Sequence, residues 1–492
     1  MRLAKIPMNP TLDLCSTRVR GQARVDTRAR PIATGLVLAG ADAAGLMASA
    51  VLSTSLWLLV NPAAGGYYGM WSTAPLFLVT YAVLGLYPGV GLSPVEELRR
   101  LTAANAIVFL ALASAIFLHK EVATFSRGIF LAKWVLSTAL VPLARAAART
   151  LFARRPWWGV PILIFGVGRA AQLVITALKS QPALGLKPVA CLDDGEHRDR
   201  ADCAGVEIAG SLPDAPAIGR AYGIRHALVA MPSLSAKQLI EVLERRAAAF
   251  PHVIIVPDLL GMASLWVTAR DLGGVLGLEL RQNLLMPLNR RLKRGLDLTL
   301  CAVIGLVAAP LVALAAVLIK RVNPGPAFYT QEREGEGGST IRVHKLRTMY
   351  LDADALLREH LDRNPAARLE WRRHFKLKND PRVLPLVGSL LRRTSLDELP
   401  QLWNVLRGEM SLVGPRPFPF YHLDQFDPEF RRLRGQAPPG LTGLWQVEAR
   451  SDGDLAVQEK LDTYYIRNWS LWLDAYILAR TVKAVLARSG AY

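Results

Sequence analysis

Five apolar runs constrain this 492-residue chain more than any other feature. Four come early, over about 33 to 60, 73 to 92, 101 to 118 and 128 to 148, each near the ~20 residues a helix needs to cross a bilayer. The fifth, Gly295 to Ile319, stands alone in a polar second half. Such a chain cannot fold as one soluble globule, and its 51% apolar composition agrees. A net charge of +19 would suit a nucleic-acid binder, but the basic residues are scattered around the apolar runs. Nucleic acid is therefore not expected as a partner; anionic lipid and anionic substrates are. Cys15, Cys191, Cys203 and Cys301 show no metal or disulfide spacing and read as reduced.

The basic segment 1–32 is too long and polar before its first apolar residue to resemble a cleaved signal, and it is expected in the cytoplasm. A four-helix transmembrane bundle is expected over 33–150. Its first connection carries no charge, its second holds Arg99 and Arg100, and the chain leaves the last span through Arg145, Arg149, Arg154 and Arg155. Positive charge marks the cytoplasmic side, so both ends face inward, with Lys120 and Arg127 of the third connection counting against this. Asp42 and Lys133 are ionisable exceptions within the spans, read as facing a helix partner or a helix end.

After Trp157-Trp158 the pattern turns to α/β. A strand, Val160 to Phe165, runs into Gly166-Val-Gly168-Arg-Ala-Ala171, a helix, and a second strand, Pro188 to Leu192, ending at Asp193. Further strands at Ala227 to Ala230 and Val253 to Val256 complete a Rossmann-like middle domain over 156–280. Gly166, Gly168 and Asp193 are its candidate nucleotide contacts, against an equally weighted tight turn with no ligand.

The fifth run has Arg290, Arg291, Lys293 and Arg294 before it, Lys320 and Arg321 after it, and Pro310 inside. Positive charge at both ends opposes a simple crossing, and proline bends a helix, so residues 295–319 are expected as a re-entrant membrane hairpin, against a kinked spanning helix that would put everything after it outside. The region 288–492 then forms a mostly helical, monotopic catalytic domain. Lys293 and Arg294 are expected to anchor it at lipid headgroups or meet a lipid phosphate, with Asp297 paired to one of them. Tyr464, Tyr465, Trp469, Trp472 and Tyr476 fit either an interfacial helix or an ordinary core.

Chemistry concentrates at Asp397-Glu398, with Arg392 before it and Arg416 in a Gly/Pro turn after it. A carboxylate can attack a phosphoryl group when cations offset both charges, and an acidic pair can share a divalent metal. Arg416, fixed between Pro415 and Pro417, can clasp phosphate oxygens, and Lys345 and Arg347 alternate along a short strand as further phosphate ligands. Arg392 belongs with them or with Asp380 and Arg382 in a structural ion-pair network.

Other motifs stand in order around this pair: Lys293-Arg294-x-x-Asp297, Pro310, Tyr329-Thr-Gln331-x-Arg333-x-Gly335, His344-Lys345-Leu-Arg347-Thr-Met349, Asn379-Asp380-Pro381-Arg382, Gly408-Glu-Met-Ser411-Leu-Val-Gly414-Pro-Arg416-Pro417, Pro439-Gly440-Leu-Thr442-Gly443 and Asp462-x-Tyr464-Tyr465. The series resembles the polyprenyl-phosphate hexose-1-phosphate transferases, or bacterial sugar transferases, in the larger form that adds four spans and a nucleotide-fold domain. Leu444-Trp445-Gln446-Val447 leans towards the galactose-specific members, while Glu448-Ala449-Arg450 departs from their usual Ser-Gly-Arg.

The resemblance implies that Asp397 attacks the β-phosphorus of a UDP-hexose, releases UMP and carries the sugar phosphate until undecaprenyl phosphate displaces it. Glu398, with Asp397, would hold Mg²⁺. It also implies a start to exopolysaccharide, capsule or O-antigen synthesis on the cytoplasmic face of the bacterial inner membrane, and a homodimer is expected from the general frequency of twofold assemblies. The alternatives are transfer of glucose-1-phosphate in place of galactose-1-phosphate and, from another class, a membrane-anchored, NAD-dependent nucleotide-sugar dehydratase. That chemistry needs a tyrosine followed four residues later by lysine, and no tyrosine here has one.

Overall fold

The computed structural model describes residues 28–62, 73–118, 126–195, 202–257, 267–271, 273, 276–374, 377, 380–449 and 455–486; the basic N-terminal segment lies outside them up to residue 27. The chain divides into two compact units, Met1–Gly261 and Met262–Tyr492.

The first unit opens with α1 (Pro31–Val60), α2 (Ala74–Val83), α3 (Pro94–Leu118) and α4 (Arg127–Phe152). Among the described residues, α1, α3 and α4 are long and apolar enough to cross a bilayer, and α2 is not. The expected span at 73–92 is cut short because Gly85, Gly89 and Gly91 all take positive φ around Pro88, a conformation that ends a helix. A second correction concerns the arginines read as leaving the fourth span. Arg145 is 1% exposed and pairs with Asp42 at 2.7 Å and Glu97 at 2.8 Å, while Arg149 holds Glu97 at 2.7 Å. The helix therefore continues past 148, and Asp42 faces a partner as expected. Lys133 donates to the Thr73 hydroxyl at 3.1 Å.

The same unit continues as a layered α/β body: β1 (Val160–Phe165), α5 (Arg169–Ser180), β2 (Leu186–Leu192), β3 (Asp202–Cys203), β4 (Val206–Gly210), α6 (Ala215–Tyr222), β5 (His226–Val229), α7 (Ala236–Val242) and β6 (His252–Ile255). The sheet order is β3-β4-β2-β1-β5-β6, parallel except for the β3–β4 pair. β1 is central and wholly buried, with Leu163 and Phe165 in one apolar cluster and Ile162 and Ile164 in another. A strand covered on both faces must be apolar throughout, which is why this one is legible as an unbroken run.

The second unit begins with the antiparallel hairpin β7 (Val267–Asp271) and β8 (Leu276–Leu280), followed by α8 (Pro287–Val322). α8 is one 36-residue helix that carries Pro310 inside it and is long and apolar enough to cross a bilayer. A second antiparallel hairpin, β9 (Phe328–Glu334) and β10 (Thr340–Leu346), precedes a largely helical remainder. The chain is thus a membrane protein of mixed α/β structure.

Both flanks of α8 pack on the same folded body. Near its start, Lys293 donates to Asp474 at 2.7 Å and to the Val413 carbonyl at 2.9 Å, and Asp297 accepts from the Ser411 hydroxyl at 2.7 Å and the Leu412 amide at 3.1 Å. Near its end, Ala315 and Ile319 pack with Leu346, Leu384 and Leu391. Between them Val303, Leu306, Val307 and Leu314 are exposed. Lys293 and Asp297 are thus buried and tied within the protein, and Asp297, against expectation, is paired with neither basic neighbour. Arg294 donates to the Leu406 carbonyl at 2.7 Å, at the end of the helix Leu402–Arg407. Tyr465 and Trp469 are core residues, since both bond Asp474 beside Lys293.

Candidate active site

Asp397 and Glu398 open a short 3₁₀ turn, Leu396–Gln401, entered through Ser395 in the left-handed conformation at φ +56°. A non-glycine residue there costs roughly 1–2 kcal/mol, and such strain gathers at functional sites. The turn projects two adjacent carboxylates into unlike surroundings. Glu398 Oε1 accepts from Lys345 Nζ at 2.8 Å and from Arg416 Nη2 at 2.7 Å. Asp397 has no ion pair among the described residues. Lys345 comes from β10 and Arg416 from the turn after the strand Ser411–Val413, so three separate segments meet on one oxygen.

The electrostatics follow from this division. Burial pushes the Asp397 carboxyl up to about 6, the negative charge of Glu398 adds to the rise, and Lys345 and Arg392 oppose it. For Glu398 burial also acts upward, but Arg416 and Lys345 together outweigh it and bring the group down to about 2. At neutral pH both are ionised. Asp397 keeps the more basic, unpaired oxygens and Glu398 is the neutralised partner.

Glycines set the Arg416 turn. A Cβ at Gly414 would lie 2.3 Å from the Pro438 carbonyl oxygen, one at Gly440 2.1 Å from the Gly414 nitrogen, and one at Gly443 2.3 Å from the Gly414 oxygen. Backbone rests on backbone here, which only glycine permits. Arg333, Lys345, Gln401, Arg416 and Gly440 line a small cavity of about 20 Å³ beside the carboxylates.

The other expected phosphate ligands have partners of their own. Arg347 turns away from Lys345, is 5% exposed, and donates Nη2 to the Asn323 carbonyl at the end of α8, with Nε and Nη1 buried and unsatisfied. Arg392 donates to the Thr348 hydroxyl at 2.9 Å, and its charge is felt by Asp397. Asp380 and Arg382 form their own pair at 2.6 Å. Sequence reasoning left out of the site Gln401, buried at the cavity wall, and the Arg434–Asp462 pair behind Arg416. Asp462 stood in a quoted motif, but nothing in the sequence shows which arginine it meets.

In the first unit, Gly166, at φ +100°, and Gly168 line a cleft of about 840 Å³ with Arg169, Asp193, Met231 and Ser233. A Cβ on Gly166 would meet Met231 at 2.6 Å, so the turn needs glycine for packing whatever the cleft holds. Among the described residues, Asp193 accepts the local Gly195 amide at 3.2 Å.

Helices fit to cross a bilayer and a cation-flanked carboxylate pair are together the features of a membrane-bound enzyme. Comparison with known proteins gives the particular kind. The bacterial sugar transferase profile matches residues 288–488, and one described as a CoA-binding domain matches 82–257. The chain is 35% identical over 376 residues to undecaprenyl-phosphate galactose phosphotransferase of Salmonella typhimurium, covering 75% of this chain and 77% of that one. It is 32% identical to the UDP-glucose:undecaprenyl-phosphate glucose-1-phosphate transferase of Escherichia coli, over 67% of this chain and 68% of that one. The exopolysaccharide production protein ExoY of Sinorhizobium fredii is 46% identical over 42% of this chain and 90% of its own length. This chain belongs to the bacterial sugar transferase family and is an enzyme.

Proposed function

We propose that this enzyme transfers hexose-1-phosphate, with galactose as the hexose, from UDP-hexose to undecaprenyl phosphate, through a covalent intermediate on Asp397. The observation that carries this reading is the unequal carboxylate pair. An oxygen of Asp397 attacks the β-phosphorus, a P–O bond forms, and the bond from that phosphorus to the bridging oxygen breaks, so UMP leaves with the bridging oxygen. A phosphate oxygen of the lipid then attacks the same phosphorus and releases the Asp397 carboxylate. Splitting the exchange in two replaces one hard displacement with two easier ones.

Glu398 is the weaker candidate for attack because Lys345 and Arg416 already hold its Oε1. Those two cations are placed to receive phosphate oxygens while Glu398 keeps them aligned, so the site is organised before charge moves. Arg392 adds positive charge beside Asp397.

The donor set also fits Mg²⁺. Two neighbouring carboxylates supply hard oxygen ligands, Glu398 Oε2 has no hydrogen bond among the described residues, and Mg²⁺ is commonly held by one or two carboxylates plus substrate phosphates. Asp397 and Glu398 would hold the ion, which when bound would offset charge on the pyrophosphate. No group of three or more His, Cys, Asp or Glu side chains that could hold a metal forms among the described residues, so phosphate oxygens and water would complete the shell.

We further read α8 as re-entrant, with the catalytic domain on the cytoplasmic face of the inner membrane. A straight helix of this length would span about 54 Å, yet both its flanks pack on one folded body while Val303, Leu306, Val307 and Leu314 between them are exposed. A bend at Pro310 reconciles these facts. The middle domain is read as Rossmann-like, its cleft lying where the chain crosses from one side of β1 to the other, the usual place for a nucleotide in such sheets. We read the domain limits as a bundle over 33–150, this domain over 156–280, and the catalytic domain over 288–492, which would start exopolysaccharide, capsule or O-antigen synthesis.

The test is UMP release by purified enzyme given undecaprenyl phosphate and a panel of UDP-sugars, with and without EDTA. Release from UDP-galactose that EDTA abolishes is expected; no release from any UDP-hexose would reject the reaction.

A further inference from the structure

Arg416 can clasp phosphate only if its turn is held in one conformation, and four successive carbonyls there each have a donor. Pro415 O accepts from the Gly440 amide at 2.9 Å, Arg416 O from Arg434 Nη2 at 2.6 Å, Pro417 O from Arg333 Nη1 at 3.4 Å, and Phe418 O from the Glu334 amide at 3.0 Å. The bond to Arg416 itself is the shortest of the four. Arg434 is 6% exposed and Asp462 2%, and Arg434 Nη1 donates to Asp462 Oδ2 at 2.9 Å. The guanidinium lies 4.9 Å from the Phe418 ring centre, 5.8 Å from Phe426 and 6.0 Å from Phe430.

We infer that Arg434 and Asp462 are positioning residues for the transfer: Asp462 fixes the Arg434 guanidinium within an aromatic box, and that guanidinium fixes the peptide from which Arg416 reaches Glu398 and the donor's phosphate. A buried guanidinium spent on one backbone carbonyl is costly unless its charge is matched, and Asp462 supplies the match. The geometry has a directional logic. Arg434 offers separate nitrogens to the carboxylate and the carbonyl, so a fixed fork transmits the position of the helix Leu455–Asn468 to residue 416. Neither residue touches the reacting atoms.

The inference rests on the transferase reading with Arg416 as phosphate ligand, so the experiment separates the two. UMP release from UDP-galactose is measured for wild type, Arg416→Ala, Asp462→Asn and the double variant, with the thermal midpoint of each in detergent as a check on folding. UMP release by wild type and its loss in Arg416→Ala test the reading. The inference is tested by the ratio: Asp462→Asn lowers kcat/KM by roughly 10- to 100-fold with Arg416 present and by less than about twofold on the Arg416→Ala background. Equal losses on both backgrounds, or none with Arg416 present, would overturn it. Should Asp462→Asn fail to fold, Arg434→Lys replaces it in the same cycle, because an ammonium keeps the charge beside Asp462 but lacks the fork that also reaches the Arg416 carbonyl.

Discussion

Two carboxylate clusters in this enzyme use the same ingredients to opposite ends. In the helical bundle, Asp42 and Glu97 meet Arg145 and Arg149, and every member is 8% exposed or less. Arg149 Nη1 donates to the Ala183 carbonyl, its Nη2 is shared between Glu97 and the Gly89 carbonyl, and Tyr87 donates to Asp42. At the catalytic turn, Glu398 takes two cations on one oxygen, its side chain stays 20% exposed, and the carboxylate next to it is left without a counter-ion. The difference is one of completeness. Two acids matched to two bases in a dry interior make a tie, whereas two acids sharing cations at a half-open surface keep one oxygen reactive.

The sharpest way to break the comparison is to remove the unmatched acid. Asp397→Asn is expected to lower UMP release by about 10⁴-fold or more, as loss of a covalent nucleophile does, with the thermal midpoint unchanged. Glu398→Gln should retain a trapped sugar phosphate on residue 397, detected as a mass increase after quenching; labelling at 398 in wild type would reverse the roles. In the bundle the converse holds. Arg145→Ala leaves Asp42 buried beside an unfilled gap, and removing one member of a buried pair costs roughly 3–5 kcal/mol, read as a lower thermal midpoint in detergent. Arg416→Ala should do the opposite, costing about 1 kcal/mol or less in stability because the pair is partly solvated, yet about 10²- to 10³-fold in kcat/KM. If the two arginine variants behaved alike, the distinction between tie and reactive site would fail.

Legibility in the sequence followed the same divide. β1 was readable to the residue because burial on both faces leaves an unbroken apolar run, and the cations expected around Asp397-Glu398 do meet there in part, Lys345 and Arg416 on Glu398. α2 was over-read, since hydropathy is blind to the left-handed glycines that stop a helix. Arg145 and Lys293 were misplaced for a related reason: charge near an apolar run looks like a boundary, but each has a buried carboxylate supplied from elsewhere, Asp42 at a separation of 103 residues and Asp474 at 181. Pairings at that distance leave no local trace. The same limit hid Arg434 behind Arg416.

The gentlest probe of the comparison is pH. Asp397 must be ionised to attack, and without bound metal its carboxyl sits at about 6, so kcat/KM for UDP-hexose should fall by about tenfold per unit below pH 6, or below a lower pH where Mg²⁺ offsets its charge. Glu398, held at about 2, contributes nothing to that limb. Lys345 is one of the charges holding Asp397 down, so Lys345→Met, besides weakening phosphate binding, should move the acid limb to higher pH. A limb that stayed in place would mean that Lys345 acts on Glu398 alone, and the unmatched acid would then owe its basicity to burial and its acidic neighbour without any balancing cation from β10.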